Sequence, residues 1–271
     1  MTGLSSGVTA VAAGGSHSCA VVNGGVQCWG SNFSGELGNN SATQSNVPVQ
    51  VTGLSSGVTA VSAGGSQSCA VVNGGVQCWG YNLSGQLGNG GTTNSSVPVQ
   101  AIGLNSGVTA VSAGNSYGCA VVNGGVQCWG YNFFGQLGNG STMNSNVPMQ
   151  ATGLSSGVTA VSAGSNFHSC AVVNGGVQCW GLYINGQLGN NSTTQSIVPE
   201  QAITAGSDVT AVSAGHSHSC AVVSGGGVCW GANKSGQLAD AYSNPPHQPV
   251  TTLTFRTFKS PLVPILFFLL D

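Results

Sequence analysis

The chain has 271 residues with a formal net charge of −2 at pH 7, and only 3% of its residues are charged. It therefore lacks the basic stripe that a nucleic-acid backbone or an anionic membrane surface would need, and both partner classes are excluded. Its 45 glycines recur at fixed repeat positions, which indicates turns in a repeated fold and not disorder.

A repeat of about 50 residues organises the chain, and it is marked by the tryptophans Trp29, Trp79, Trp129, Trp180 and Trp230. A period of this length is typical of propellers, in which each blade is a small antiparallel sheet. No helical periodicity of useful length occurs. The sequence predicts an all-β propeller of five four-stranded blades, and it leaves open whether five blades close a ring.

One propeller domain is predicted over residues 1–253. Its five units are approximately 8–57, 58–107, 108–157, 158–208 and 209–253. The chain starts with the same linker that joins later units, Thr-Gly-Leu-Ser-Ser-Gly, and no signal peptide is visible. We therefore expect the chain to be a fragment of a longer protein.

Residues 254–271 fall outside the repeat and contain an apolar run of about half a membrane span, interrupted by two prolines. We expect no membrane span here. We interpret the segment as a frame error or an unrelated tail, with a hydrophobic strand or an anchor as the alternative.

Each unit contains four candidate strands, which the second unit shows in chain order. The first is Val58–Ala63, the next two are the arms of a hairpin, and the last covers 97–101. Pro98 lacks an amide donor, so the fourth strand should lie at an edge of the sheet or begin its pairing after the proline.

The hairpin is the dodecapeptide Cys-Ala-Val-Val-Asn-Gly-Gly-Val-Gln-Cys-Trp-Gly at residues 69–80, which recurs in every unit, with changes only in the fifth. Asn73-Gly74 predicts a type I′ turn, because both central residues of that turn need a positive φ. Counting outward from the turn places Cys69 opposite Cys78 in a non-hydrogen-bonded pair, where two Cα atoms lie about 4.5 Å apart.

The same count pairs all ten cysteines and leaves none over: Cys19 with Cys28, Cys69 with Cys78, Cys119 with Cys128, Cys170 with Cys179, and Cys220 with Cys229. Even pairing at constant spacing predicts five disulfides and an oxidising compartment, extracellular or at the cell surface. Each bridge would contribute at most about 2.7 kcal/mol. The alternative is a cytoplasmic protein in which the thiols are reduced and pack as small apolar groups.

Several spaced motifs resemble the regulator of chromosome condensation repeat family, most of all its bacterial members with paired cysteines. They are Val-x-x-Val-x-Ala-Gly, His-Ser-Cys-Ala, Cys-Trp-Gly-x-Asn and Gly-Gln-Leu-Gly, over residues 2 to about 253. The resemblance implies a β-propeller, usually of seven blades, so these five units would be an incomplete ring or would close differently. An incomplete ring would be open to self-association.

Neither a catalytic nor a metal site can be assembled from the residues. His17, His168 and His218 each precede a cysteine by two residues, but the same position holds Gln67 and Tyr117 in the other units. The five acidic residues fall at unrelated repeat positions, so paired carboxylates and catalytic triads are missing. We expect no enzyme activity, no metal and no cofactor.

The positions that vary in the loop after Trp-Gly are the candidates for binding, because packing does not dictate them. If they gather on one rim, they form an uncharged, aromatic surface on a rigid scaffold; they are Phe33, Tyr81, Leu83, Tyr131, Phe133, Phe134, Tyr183 and Ile184.

The sequence therefore predicts a non-enzymatic binding or scaffold propeller that recognises a protein or a glycan through its rim loops. Two alternatives remain: a cytoplasmic regulator that promotes nucleotide exchange on a small GTPase, which rests on the resemblance alone, and an inhibitor that plugs an enzyme cleft.

Overall fold

The computed structural model describes residues 4–192, 194–239 and 249–253. These residues form twenty strands and no helix. The strands make five sheets of four, and each sheet is a meander of consecutive antiparallel strands. The predicted all-β, five-sheet architecture is confirmed, and each sheet is one blade.

The first two blades have strands of equal length. Blade 1 contains β1 (Val8–Ala13), β2 (His17–Val22), β3 (Gly25–Gly30) and β4 (Ser45–Gln50). Blade 2 contains β5 (Val58–Ala63), β6 (Gln67–Val72), β7 (Gly75–Gly80) and β8 (Ser95–Gln100).

The other three blades repeat this plan, with a longer outer strand in blade 4. Blade 3 contains β9 (Val108–Ala113), β10 (Tyr117–Val122), β11 (Gly125–Gly130) and β12 (Ser145–Gln150). Blade 4 contains β13 (Val158–Ala163), β14 (His168–Val173), β15 (Gly176–Gly181) and β16 (Ser196–Ile203). Blade 5 contains β17 (Val209–Ala214), β18 (His218–Val223), β19 (Gly226–Gly231) and β20 (Val250–Leu253).

The hairpin in the middle of each blade has the register that the turn predicts. Asn73 and Gly74 have φ values of 50° and 78°, as a type I′ turn requires. Cys69 then lies opposite Cys78, and a disulfide joins them with a Cα–Cα distance of 4.1 Å. All five predicted disulfides are present, and no described cysteine is free.

The proline-containing fourth strand lies at the outer edge of its sheet, as expected. In blade 2, β8 pairs only with β7, and the register shifts between the pairs Gly80–Ser95 and Cys78–Val99. Pro98 lies within this shifted segment, where a missing amide donor is tolerated.

Consecutive blades pack face to face through two chemically different surfaces. The disulfide face of blade 2 carries the cysteine pair with Val71 and Val76, and its opposite face, the tryptophan face, carries Ala70 and Trp79. The disulfide face of each blade packs against the tryptophan face of the next, and the same arrangement forms four apolar clusters. These interfaces are the core of the molecule.

A hydrogen bond accompanies each of these contacts. The indole nitrogen Nε1 of Trp79 donates to the carbonyl oxygen of Glu36 in the preceding blade at 2.7 Å. The same bond recurs from Trp129, Trp180 and Trp230 at 2.8 to 2.9 Å. The Gly-Gln-Leu-Gly segment of one blade is therefore bound to the tryptophan of the next.

The five blades form an open arc. Inner-strand contacts run from β1 through β5, β9 and β13 to β17. Val8 and Val11 of blade 1 are 38% and 56% exposed, whereas their blade 2 counterparts Val58 and Val61 are each 5% exposed. Within the described parts of the chain, nothing covers the tryptophan face of blade 1.

The two ends of every blade differ in their connections. The turn between the first two strands and the long loop before the fourth strand meet at one end, where the Tyr131 amide donates to the Ser116 carbonyl oxygen at 2.9 Å. We call this end the loop rim. The Asn-Gly hairpin turn and the connector to the next blade lie at the other end, the hairpin rim.

The apolar tail at residues 254–271 lies outside the described residues. Within the described ranges, no helix has the length and apolar character needed to cross a membrane.

Candidate binding surface on the loop rim

One position in each long loop presents an exposed side chain at the loop rim. In the first four blades this side chain is apolar, and Phe33 is 81% exposed while Leu83, Phe133 and Ile184 are each 64% exposed. Blade 5 has Lys234 at this position. The structure therefore brings four of the predicted binding residues together as an arc, one per blade, which we call the apolar arc.

A buried asparagine next to this position holds the loop in shape. In blade 3, the Nδ2 of Asn132 donates to the carbonyl oxygens of Ser141 and Met143 at 2.9 and 3.0 Å. Its Oδ1 accepts the amide of Leu137 at 2.9 Å. This network fixes both sides of the loop, so the neighbouring Phe133 is presented on a rigid support.

Asparagines occupy the same position in blades 1, 2 and 5, but blade 4 has Tyr183 there. Tyr183 is half-buried, and burial raises the pKa of its hydroxyl. It belongs to the interior of the loop more than to the apolar arc. The predicted binding role of Tyr183 is therefore not matched by an exposed position.

The other predicted residues lie at the base of the rim or beside the arc. Tyr81 and Tyr131 are half-buried, and their amides donate to the turn between the first two strands of the same blade. Phe134 is also half-buried, and its ring packs edge-on against Phe133 with centroids 5.2 Å apart.

Phe167 joins this group, although the sequence did not single it out. It lies in the turn between β13 and β14, which is one residue longer than in the other blades. Its ring centroid is 5.1 Å from that of Tyr131 and 5.4 Å from that of Phe134. The signal in the sequence was the insertion itself, which was noted only as an irregularity of the period.

The histidines serve as contacts between blades. Nε2 of His17 lies 2.9 Å from the Ser68 hydroxyl oxygen of the next blade, and that hydroxyl donates to the Glu36 carbonyl oxygen. The ring nitrogen must therefore be the donor. His168 bonds Ser219 in the same way, also at 2.9 Å.

Non-titrating residues make equivalent contacts where the histidine is replaced. Gln67 donates to the carbonyl oxygen of Gly114 at 2.8 Å, and the Tyr117 hydroxyl donates to that of His168 at 2.7 Å. Burial lowers the pKa of His17 to about 4 and, with the nearby His218 and His216, that of His168 to about 3. Neutral histidines are therefore built into the interfaces.

Within the described residues, no group of three or more His, Cys, Asp or Glu side chains could hold a metal ion. The described acidic residues are also far apart in the repeat. Glu36 is buried and accepts the Ser34 amide, as Gln86 does for Ser84 in blade 2. Glu36 therefore has the structural role of the glutamine that it replaces.

The disulfides of the first four blades are buried inside the interfaces, with every cysteine at 0% exposure. In blade 5, Cys220 and Cys229 are half-buried, because no described residue packs on that disulfide face as a further blade would. The cysteines are part of the scaffold and not of the loop rim.

Family models place this propeller in a known class. The regulator of chromosome condensation (RCC1) repeat matches residues 23–71, 73–121, 123–172 and 174–222, and a second model of the same repeat matches residues 8–36. The chain belongs to the RCC1 repeat family. No curated protein matches the sequence.

Solved structures show the same fold. Human WBSCR16 is 25% identical with a TM-score of 0.77, over 91% of this chain and 67% of its own. Yeast RCC1 (Prp20), solved bound to Kap60, is 20% identical with a TM-score of 0.77, over 92% of this chain and 62% of its own.

A further structure of Prp20p from Saccharomyces cerevisiae, described with its binding properties to Gsp1p and histones, is 21% identical with a TM-score of 0.77. That match covers 92% of this chain and 64% of the yeast protein. The chain thus spans about two thirds of the length of the solved relatives.

Proposed function

We propose that this protein is a non-enzymatic binding propeller that recognises a partner, a protein or a glycan, through its loop rim. The observation that carries the proposal is the apolar arc. Four blades each expose a large apolar side chain at the same loop position, on the same rim. Soluble proteins seldom collect exposed apolar side chains in one place without a partner to cover them.

The support beneath the arc suits a binding surface. Each blade is closed by a disulfide and packed on its neighbours, and buried asparagines hold the loops of blades 1, 2, 3 and 5. Residues on such loops lose little conformational freedom when they bind, which favours affinity. The yeast relatives are described with protein partners, which makes a protein the leading partner class.

An oxidising location, outside the cell or on its surface, belongs to the same proposal. Five disulfides within one chain favour it, because a reducing cytoplasm would keep such thiols reduced. Ten cysteines protected from alkylation, in protein isolated from its native host without reductant, would support this location. Ten labelled thiols would move the protein to the cytoplasm and favour the GTPase-regulator alternative.

The binding proposal is tested by replacing the arc. A variant with Phe33→Ser, Leu83→Ser, Phe133→Ser and Ile184→Ser should lose the partners that the immobilised wild-type protein retains from the secreted and surface fraction of its host. The matched control is Ile102→Ser, because Ile102 is 51% exposed but lies in a connector at the hairpin rim.

The proposal fails if the arc variant and the control retain the same partners. A panel of small GTPases is assayed in parallel for nucleotide release, and a set of secreted hydrolases for inhibition. Acceleration of release by both variants would instead indicate exchange activity that does not use the arc.

A further inference from the structure

Three departures from the repeat converge at one place between blades 3 and 4. Phe134 stands where the other blades have Ser34, Ser84, Asn185 and Ser235. Met143 stands where blades 1, 2 and 4 have Thr43, Thr93 and Thr194. Phe167 stands where the others have Ser16, Ser66, Ser116 and Ser217. In each case a polar side chain of the repeat is replaced by a large apolar one.

The structure brings these three side chains into one surface with Tyr131 and Phe133. Phe134 stacks on Phe167 at 5.4 Å with an interplanar angle of 24°, and Phe133 meets Phe134 at 88°. The Met143 carbonyl is held by Asn132, the residue next to Phe133, so the methionine lies beside the rings. We call these five residues the aromatic patch.

Backbone strain at Phe167 indicates that its position is required. Its φ is 61°, a left-handed conformation that bulky residues rarely adopt. Such outliers persist where the surroundings hold them, often at functional sites. Here the strained turn carries the ring from blade 4 onto the aromatic residues of blade 3.

The patch remains open to solvent despite its internal contacts. Phe133 is 64% exposed and Met143 is 77% exposed, while Tyr131, Phe134 and Phe167 are half-buried. In the described part of the chain, the Tyr131 hydroxyl makes no hydrogen bond. A ligand can therefore reach an apolar surface that also offers one free hydroxyl donor.

The chemistry of the surroundings restricts the ligand. No Asp, Glu, Lys or Arg occurs between Glu36 and Glu200, so the patch has no charged residue of its own blades beside it. A charged ligand would lose hydration without gaining an ion pair. The favoured ligand is uncharged.

The three departures also separate a protein ligand from a glycan. A glycan needs many hydrogen-bonding groups around an open ring face. Here hydroxyl groups of the repeat have been lost at positions 134, 143 and 167, and the faces of Phe134 and Phe167 are occupied by each other. An apolar protein segment loses nothing by these changes.

We infer that the aromatic patch binds an extended, uncharged, proline-rich segment of a partner protein. Rings at steep angles form slots for proline and leucine side chains, and such segments dock in aromatic-lined grooves at low entropic cost. The Tyr131 hydroxyl can donate to a backbone carbonyl of the segment, which has no internal hydrogen bonds. This inference rests on the proposed function, because it names the partner chemistry at one part of the same rim.

The test uses a defined probe, the blocked peptide acetyl-Pro-Pro-Leu-Pro-Pro-Leu-Pro-amide, titrated into the isotope-labelled, fully oxidised full-length chain. We expect saturable amide chemical-shift changes centred on residues 131–144 and 165–168. The variant Phe134→Ser, Met143→Thr, Phe167→Ser should weaken binding by about tenfold or more. Each substitution installs the residue of a sister blade, so the variant is expected to keep the fold.

Matched controls and outcomes are defined in advance. Leu83→Ser, which removes an exposed side chain of the arc from blade 2, should leave the peptide affinity unchanged. Binding of a neutral hexasaccharide at the patch without peptide binding would overturn the inference in favour of a glycan. Peptide shifts elsewhere, or none up to millimolar concentrations, would also overturn it. If the arc variant still loses its partners in that case, only the inference has failed, and the proposed function stands.

Discussion

The tryptophan faces of blades 1 and 3 have the same hairpin sequence but different environments. Trp129 is fully buried, and its indole nitrogen donates to the Gln86 carbonyl oxygen of blade 2 at 2.8 Å. Trp29 is half-buried, and no described residue precedes it to accept this bond. The comparison shows that these residues acquire their energetic role from the neighbouring blade and not from their own hairpin.

The largest effect is expected from the tryptophans themselves. Trp129→Ala should lower the free energy of unfolding by about 3–5 kcal/mol, because it leaves a cavity in a closed interface. Trp29→Ala should lower it by about 1 kcal/mol, because its side chain is already partly in water. Urea unfolding of the oxidised proteins measures both values. Should Trp129→Ala fail to fold, Trp129→Phe and Trp29→Phe give the same comparison, and equal losses would contradict it.

The interface histidines should make the packing acid-sensitive. Both stay neutral in the folded state because burial lowers their pKa, to about 4 for His17 and about 3 for His168. The unfolded chain binds their protons near pH 6.5, so their contribution is complete above that pH and is lost as the pH falls toward 4. At about 1.4 kcal/mol per pKa unit, His17 alone accounts for about 3 kcal/mol.

The matched variant copies blade 2, in which Gln67 occupies the same position. His17→Gln with His168→Gln should flatten the dependence of unfolding free energy on pH between 6.5 and 4. An unchanged slope would show that other groups cause the acid sensitivity.

The disulfides of the inner and terminal blades should differ in their response to reductant. Cys119 and Cys128 are fully buried, whereas Cys220 and Cys229 are half-buried. The bridge of blade 5 should therefore be labelled first when the reductant concentration is raised stepwise and the products are mapped by mass spectrometry. Replacing the Cys119–Cys128 pair by serine should cost up to about 2.7 kcal/mol of stability. Simultaneous labelling of all five bridges would remove the predicted difference.

The smallest effect concerns a contact that blade 1 lacks. Ser62 accepts the Ala113 amide of the next blade at 2.9 Å, and Ser112 and Ser162 make the same bond. Blade 1 has Ala12 at this position, so Ala63 lacks the partner. Ala12→Ser should stabilise the protein by about 1 kcal/mol. Ser112→Ala is the reverse test in thermal unfolding, and it should lower the stability.

The hairpin could be predicted residue by residue, because its information is local. Asn73-Gly74 sets the turn, and counting outward then places Cys69 opposite Cys78 and gives both faces of the blade. The edge position of the Pro98 strand also followed from one missing amide. The family resemblance was equally accessible, because its motifs recur at a fixed period.

The candidate site was predicted only in part. Phe33, Leu83, Phe133 and Ile184 share a repeat position, so their common rim could be foreseen. Tyr183 was placed in the same set, but it occupies the half-buried position of the loop asparagine. Distinguishing the two positions required the hydrogen-bond network of Asn132.

By itself, the sequence determined the repeat, the strands, the disulfide pairing and the uncharged character of the surface, because each depends on residues close together in the chain. Only the tertiary structure decided which faces are covered and which distant residues meet. Phe167 reaches Tyr131 and Phe134 because blade 4 packs against blade 3. The open face around Trp29 likewise reflects the absence of a described neighbour, which no property of its own hairpin records.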